Sequence, residues 1–485
     1  MNKSIFFQIF SIIFSYIIIF IPLIQTKDNL RKNANSGEER TKLLFVWEQF
    51  RHGARGPWIS VNPITGLDFI GEKWTGEGEL TGLGTRMHYL LGVSMKKRYN
   101  DFLSKQFNPN EIYIISTDVN RTIMSCYAHL QGMYNNSTVP LLTEKQINTA
   151  NILNLNYSEK INEKIIDLKY NYLQNGINLF PVHLYPNDYG KEFLLYEPDI
   201  CPGIVKYRES AQNSETMKKI YAETSERLNN TFGKYIFKFM NISGEKDPYY
   251  LWNTTNMYYI GDTFIADYID GREMKLIRDT KIDLEAFYRH SLNLSSLETY
   301  FGYFGNPLEI TCYLQMSPVF RSIFNFMDMR IELDKNGESD KIINKSPRFV
   351  MVAGHDTTLG ANDLFLKEEF GVEYEHAVYC SSQIYELWKN EINGKYFIKY
   401  IVNQELKAEF DYEKFKEKVW KKIYTEKEVI EICDGVKEEE EEKKENNNNT
   451  NKTLFFVFLG LVFLLALVLI YVTFLMKKPN LKKQK

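Results

Sequence analysis

Three short apolar runs, each ending at a polar cluster, constrain this chain more than any other feature. Leu43-Leu44-Phe45-Val46 leads toward Arg51–Gly56, and Ile112-Tyr113-Ile114-Ile115 leads into Ser116-Thr117-Asp118. Phe349-Val350-Met351-Val352 leads into Ala353-Gly354-His355-Asp356. Runs of this length read as buried strands entering loops, and helical patterns follow them. Such strand–turn–helix junctions predict an α/β fold, a sheet covered by helices. Ser382–Trp388 and Tyr396–Asn403 read as an antiparallel pair joined at Asn393-Gly394, so the sheet is expected to be mixed.

The sheet pattern is interrupted. Residues 144–345 are rich in Leu, Lys, Glu, Asn and Tyr, and Ser214–Phe239 and Leu284–Tyr300 carry helical periodicity. This predicts a mostly α-helical inserted domain that builds one wall of a cleft, with residues 41–143 and 346–433 forming the α/β domain. After Cys433 the chain collapses into Glu438–Glu442, Lys443-Lys444 and Asn446–Asn449. Such a run cannot bury enough apolar surface to fold, so residues 434–453 read as a solvated stalk.

Both ends carry targeting signals. Met1–Gln25, with Lys3 ahead of the apolar run Ile5–Ile24, reads as a secretory signal peptide. It lacks a clear small-residue cleavage site, which leaves an uncleaved signal anchor as the alternative. Leu454–Met476 is apolar and uncharged, and as a helix it spans roughly 30–35 Å, the thickness of a bilayer core. The lysines of 477–485 place that tail in the cytoplasm and everything before the span in the lumen or outside. N-x-S/T acceptors such as Asn156, Asn229 and Asn293 permit a glycosylated ectodomain.

Charge and cysteine usage exclude other classes. The 485 residues sum to a formal charge of only −3, with no basic stripe interleaved with aromatics, so a nucleic-acid partner is not expected. The five cysteines, Cys126, Cys201, Cys312, Cys380 and Cys433, form no C-x-x-C pair, which disfavours a zinc site. One or two long-range disulfides suit an oxidising compartment, and the odd count leaves at least one thiol unpaired or bridging chains.

The polar clusters carry the chemistry. Arg51-His52-Gly53-Ala54-Arg55-Gly56-Pro57 sets two guanidinium forks around an imidazole, an anion site with a nucleophile at its centre or a basic surface turn. Ser116–Thr122 offers Ser, Thr or Asp as a helix cap and puts Arg121 in the first turn, where a helix N-terminus also favours anions. Gly354-His355-Asp356-Thr357-Thr358 pairs an anion-binding imidazole with a proton-donating carboxyl group. Because each cluster follows a strand, all three can converge at the C-terminal edge of one sheet, where α/β proteins bind ligands.

The order and spacing of these motifs resemble the histidine acid phosphatases, the clade-two branch of the histidine phosphatase superfamily. R-H-G-x-R-x-P stands at Arg51–Pro57, and L-T-x-x-G stands at Leu80-Thr81 and Gly84. Leu91-Gly92, Arg98-Tyr99, S-T-D-x-x-R-T at Ser116–Thr122 and Pro181-Val182-His183 follow. Cys201-Pro202 and H-D-T-T at His355–Thr358 complete the set, so the resemblance runs from about Phe45 to Cys433.

The resemblance implies a phosphoglycerate-mutase-like sheet and an acid phosphomonoesterase with a phosphohistidine intermediate. His52 is then the nucleophile, Asp356 the proton donor, and Arg51, Arg55, Arg121 and His355 hold the phosphoryl oxygens. No metal or other cofactor is implied. A disulfide between Cys201 and Cys433 is also implied, with Cys126, Cys312 and Cys380 unassigned. Partners would be small phosphomonoesters, phosphoproteins among them, and oligomeric state stays open, a homodimer included.

Ala54 also occurs in phytases, which keeps an inositol-phosphate phosphatase as the alternative, although the H-D-T-T ending favours the broad acid phosphatases. A mutase is disfavoured by the secretory topology, and a non-catalytic receptor-like ectodomain by the intact motif residues. His88 and His129 read as packing or surface residues, and His290 and His376 have no supporting context. His183 stands out only by its family position, as a pocket-lining or structural residue.

Overall fold

The computed structural model describes residues 40–58, 76–134, 142–145, 177, 179–184, 201, 219, 222, 262, 263, 265–271, 308–341, 346–373 and 376–433. The segments read as signal peptide, stalk, membrane span (Leu454–Met476) and tail lie outside them. So do His290, Leu284–Tyr300 and all of Ser214–Phe239 except residues 219 and 222. Among the described residues no helix is long and apolar enough to cross a membrane.

Seven strands form one mixed sheet: β1 (Thr41–Arg51), β2 (Ile112–Ser116), β3 (His183–Leu184), β4 (Phe349–Gly354), β5 (Ser382–Asn390), β6 (Tyr396–Val402) and β7 (Glu405–Asp411), in the order β3-β2-β4-β1-β5-β6-β7. β3, β2, β4 and β1 run parallel, whereas β5, β6 and β7 add antiparallel to the β1 side. The turn between β5 and β6 holds Gly394 at a φ of 72°, a left-handed conformation that glycine adopts without a Cβ clash. The expected α/β class and the antiparallel pair are both present.

Period-two alternation sorts the strand side chains into two cores. Val46 and Phe50 of β1, Ile112 and Ile114 of β2, and Phe349 and Met351 of β4 face α1 (Gly82–Arg98) and α2 (Asn120–Met133). Phe45 and Trp47, Ile115, and Val350 and Val352 face α3 (Leu308–Lys335), α4 (Asp356–Phe370) and α5 (Tyr412–Trp420). A register shift between Leu43 and Phe45 against β5 puts Leu44 and Phe45 in the same core although they are adjacent in sequence. Helix α3 falls within the stretch read as helical insertion, yet Met316, Phe320, Ile323 and Met327 pack on the sheet.

On the other face α1 and α2 touch backbone to backbone. A Cβ on Gly92 would run into the carbonyl of His129, and one on Gly132 into the carbonyl of Tyr89. Only glycines permit this crossing distance. Beyond the sheet, a disulfide joins Cys201 to Cys433, in a small cluster with Leu314 and Val429. Cys126, Cys312 and Cys380 are free thiols.

Candidate active site

The three polar clusters meet at the C-terminal edge of the parallel strands. His52 N–H donates to the Gly354 carbonyl at the end of β4, and Thr117 N–H donates to the Ala353 carbonyl, so the chain leaving β1 and the chain leaving β2 are both tied to β4. Helix α4 starts at once with Asp356, and α2 carries Arg121 in its first turn. The cap of α2 differs from the expectation. Val119 occupies it with no side-chain hydrogen bond, because Thr117 is turned toward His355 instead.

His52, Arg51, Arg55, Arg121 and His355 are all buried, and Arg51, Arg121, Arg55 and His355 act electrostatically on the His52 imidazole. Burial first, and then those four groups, hold its pKa well below the usual histidine value. His52 Nδ1 lies 2.9 Å from the Gly53 carbonyl, which only accepts, so Nδ1 carries the proton and Nε2 keeps its lone pair. The His52 and His355 rings stand edge to face with centroids 5.6 Å apart.

His355 is fixed at both nitrogens. Arg121 Nη2 approaches its Nδ1 at 3.3 Å, and because guanidinium only donates, Nδ1 accepts. Nε2 then donates to Thr117 Oγ1 at 3.0 Å, which is followed at 2.8 Å by Thr122 Oγ1. Arg51 Nη2 lies 2.7 Å from Asp356 Oδ2, and its Nη1 donates to the Ala377 carbonyl at 2.8 Å. Among the described residues, Arg51 Nε is buried with no hydrogen-bond acceptor. Burial alone would raise the Asp356 pKa, but Arg51, Arg55, His355 and His376 outweigh it and hold the carboxyl at about 2.

Four participants were not singled out from sequence. Asp262 grips Arg55 with both oxygens, at 2.8 and 3.0 Å, and accepts from the Trp58 backbone N–H at 2.7 Å. Tyr379 lies under the Arg51 and Arg55 guanidiniums, 4.4 and 5.9 Å from its ring centroid, and Arg121 sits 5.0 Å over the Trp58 ring. His376, which carried no supporting context in sequence, is close enough for its field to act on Asp356. Burial and the Arg51 charge lower its own pKa to about 4, against the opposing pull of Asp356. His183 instead lies exposed on β3, its ring 4.9 Å from that of Tyr113. Among the described residues no group of three or more His, Cys, Asp or Glu side chains could hold a metal ion.

The arrangement surrounds a neutral imidazole with three buried guanidiniums and sets one carboxyl group at their side, a set of donors whose charge and geometry suit a small anion. Human prostatic acid phosphatase is 43% identical over 95 residues, covering 19% of this chain and 24% of the relative. Lysosomal acid phosphatase of Xenopus laevis is 39% identical over 93 residues, covering 19% and 21%. The chain thus matches about a fifth to a quarter of the length of these curated relatives.

Among solved structures, the phytase of Klebsiella sp. ASR1 superposes with a TM-score of 0.52 at 12% identity, covering 79% of this chain and 97% of the phytase. A Hafnia alvei phytase gives 0.51 at 12% identity, covering 81% and 99%. At that identity the likeness is one of fold. The family model of the histidine phosphatase superfamily, branch 2, matches residues 42–403, and the chain belongs to that family.

Proposed function

We propose that this chain hydrolyses phosphate monoesters, with His52 as the nucleophile. The observation that carries the reading is a neutral His52, its Nδ1 proton fixed on the Gly53 carbonyl, inside the field of three arginines and His355. The phosphoryl oxygens lie among Arg51, Arg55, Arg121 and His355, and the unpaired Arg51 Nε is one donor available to them. His52 Nε2 attacks phosphorus, the N–P bond forms, and the bond to the ester oxygen breaks.

Asp356 supplies the proton that the departing alkoxide needs. With a pKa of about 2 it is ionised, paired with Arg51. A phosphate anion entering the cage competes for the same guanidinium and adds a like charge beside the carboxylate. Both effects raise its pKa, so Asp356 takes up a proton as substrate binds. After the alcohol leaves, the Asp356 carboxylate accepts a proton from water, whose oxygen attacks phosphorus. Phosphate departs and His52 returns to its neutral form. Charge stabilisation by the arginines supplies most of the catalysis, and no metal enters the scheme.

The substrate class is that of small phosphomonoesters, phosphoproteins included. Leu454–Met476 anchors the chain in a membrane with the enzyme domain on the luminal or extracellular side, as the sequence pattern and the lysosomal and prostatic names of the relatives suggest. Ala54 supports inositol phosphates as the second reading.

The test is hydrolysis of an aryl phosphate by the full chain at acid pH with a chelator present, beside His52→Ala. Turnover that is lost in the variant supports the reading. Activity that needs an added divalent metal, or survives in His52→Ala, overturns it. Inositol hexakisphosphate hydrolysed in preference to simple esters would select the second reading.

A further inference from the structure

Every backbone hydrogen-bonding group of Arg51, His52 and Gly53 is engaged. Arg51 N–H donates to the Ser381 carbonyl, and its own carbonyl lies 3.0 Å from His88 Nε2. His52 N–H donates to Gly354 O, and its carbonyl accepts from Cys380 N–H. Gly53 N–H donates to Ser125 Oγ at 3.1 Å, and the Gly53 carbonyl accepts from the His52 ring. Two of these contacts come from side chains on helices: His88 on α1 and Ser125 on α2. They hold the two peptide groups on either side of His52.

The helices are built to deliver them. Gly92, one turn after His88, contacts the backbone of His129 on α2, which fixes the two helices against each other. Gly84, one turn before His88, lies against Ala54, where a Cβ would meet its carbonyl, and Gly53 packs equally tightly on Gly84. Ser125 Oγ donates to the Arg121 carbonyl at 2.7 Å, so the hydroxyl that holds Gly53 is itself aimed by the turn that bears Arg121. His88 Nε2 faces a carbonyl and must carry the ring proton, whereas its buried Nδ1 has no partner among the described residues. An apolar side chain of the same volume would fill that place without an unsatisfied nitrogen, so packing alone does not call for a histidine there.

We propose that His88 and Ser125 are positioning residues for the nucleophile: one from each helix, they hold the Arg51–His52 and His52–Gly53 peptides so that His52 Nε2 is aimed at the phosphoryl group. This rests on the reading of His52 as the nucleophile. Burial, which lowers the His88 pKa to about 4, keeps the ring a neutral donor through most of the acid range.

The experiment compares His88→Leu and Ser125→Ala with the donor- and hydroxyl-retaining His88→Gln and Ser125→Thr, in the full chain. Rapid-quench measurement with an aryl phosphate reads phosphohistidine formation, and 15N NMR of the His52 ring reads its tautomer without substrate. Leucine and alanine are expected to slow phosphohistidine formation by about 10- to 100-fold with KM within about twofold, since a misplacement near 1 Å suffices for such losses. Glutamine and threonine should recover most of the rate. The double variant should lose less than the product of the singles, because both act on one loop.

In wild type and the conservative variants the ring should show one tautomer, protonated at Nδ1, and in leucine and alanine a mixture. Leucine and alanine variants with full rate and an unchanged tautomer would overturn the proposal. So would glutamine and threonine variants as slow as leucine and alanine. His88→Met substitutes if leucine does not fold. A wild type that forms no phosphohistidine would sink the nucleophile reading, while the tautomer comparison would still decide the positioning role.

Discussion

Arg51 and Asp356 face each other across the edge of the sheet, Nη2 to Oδ2 at 2.7 Å, one from the end of β1 and the other from the start of α4. The residue read as a phosphate ligand and the residue read as proton donor are thus a single ion pair before anything binds. In the proposed scheme the carboxyl group becomes an acid when an anion displaces that pairing. Asp356→Asn removes the transferable proton but keeps the shape of the side chain. Alkyl esters, which leave poorly, should slow by about 100-fold or more, and esters of acidic phenols far less, because only the former need protonation in the transition state. A leaving-group series measured on both proteins checks this, and equal losses across the series would remove Asp356 from the role.

Arg55 is held as firmly by Asp262 as Arg51 is by Asp356, but Asp262 has no transferable role in the scheme and orients the fork alone. Asp262→Ala leaves a buried guanidinium without its counter-charge, and the Trp58 backbone N–H without an acceptor. Breaking one partner of a buried pair costs about 3–5 kcal/mol. The melting temperature should drop by several degrees, and kcat/KM should fall similarly for alkyl and aryl esters. That uniform loss separates Asp262 from Asp356. A selective loss with poor leaving groups would show that Asp262 takes part in proton transfer.

Beneath the site, burial pushes the Glu48 pKa up to about 8. His129 Nε2 lies 3.6 Å from Glu48 Oε2, outside hydrogen-bond reach, and burial lowers the His129 pKa, so the pair is neutral rather than ionic. Cys126 and Cys380 lie close enough to feel Glu48, and burial raises both thiols, which stay protonated. Below the usual glutamate value of 4.5 Glu48 is protonated in the folded and unfolded chain alike, and its titration changes nothing. Between 4.5 and about 8 the unfolded chain releases the proton and the folded chain keeps it, so stability falls as pH rises, then levels off.

The full difference is on the order of 4–5 kcal/mol. Glu48→Gln should leave stability near pH 4 unchanged and raise it at pH 8, as denaturant melts at the two pH values will show. His88 works in the opposite sense. Its pKa is lowered from 6.5 to about 4, so its contribution is lost as pH falls through that interval. Together the two groups favour an intermediate, mildly acidic range.

The sheet was legible because its central strands are buried on both faces, and β1, β2 and β4 therefore read as nearly continuous apolar runs. The residues immediately after those strands were legible with them, since a strand end dictates where the next few side chains go. Asp262, His376 and Tyr379 were not. Each comes from a segment whose approach to the site depends on tertiary packing, and a carboxylate in a helical stretch looks like any surface acid until Arg55 is placed beside it. Val119 at the cap of α2 shows the converse: Thr117 has the right chemistry for a cap but is engaged by His355. Helix α3 lies in the stretch 144–345 that composition marks as helical, and composition does not say what a helix packs on.

The α1–α2 crossing offers a last test, because two glycines of one helix stand in opposite surroundings. Gly82 has nothing within 4 Å of a would-be Cβ, whereas one on Gly92 would overlap the His129 carbonyl, a backbone atom that cannot rotate away. Gly82→Ala should be neutral or stabilise by about 0.5 kcal/mol through helix propensity and a less flexible unfolded chain. Gly92→Ala forces the helices apart and should cost about 1–3 kcal/mol or more. It should also slow phosphoryl transfer, since His88 and Ser125 ride on the two helices and hold the Arg51 carbonyl and the Gly53 N–H that flank His52. Thermal melts and single-turnover rates on the two variants measure both effects. If Gly92→Ala lowered the melting temperature yet left the transfer rate untouched, the helix pair would be a packing device with no hold on the nucleophile.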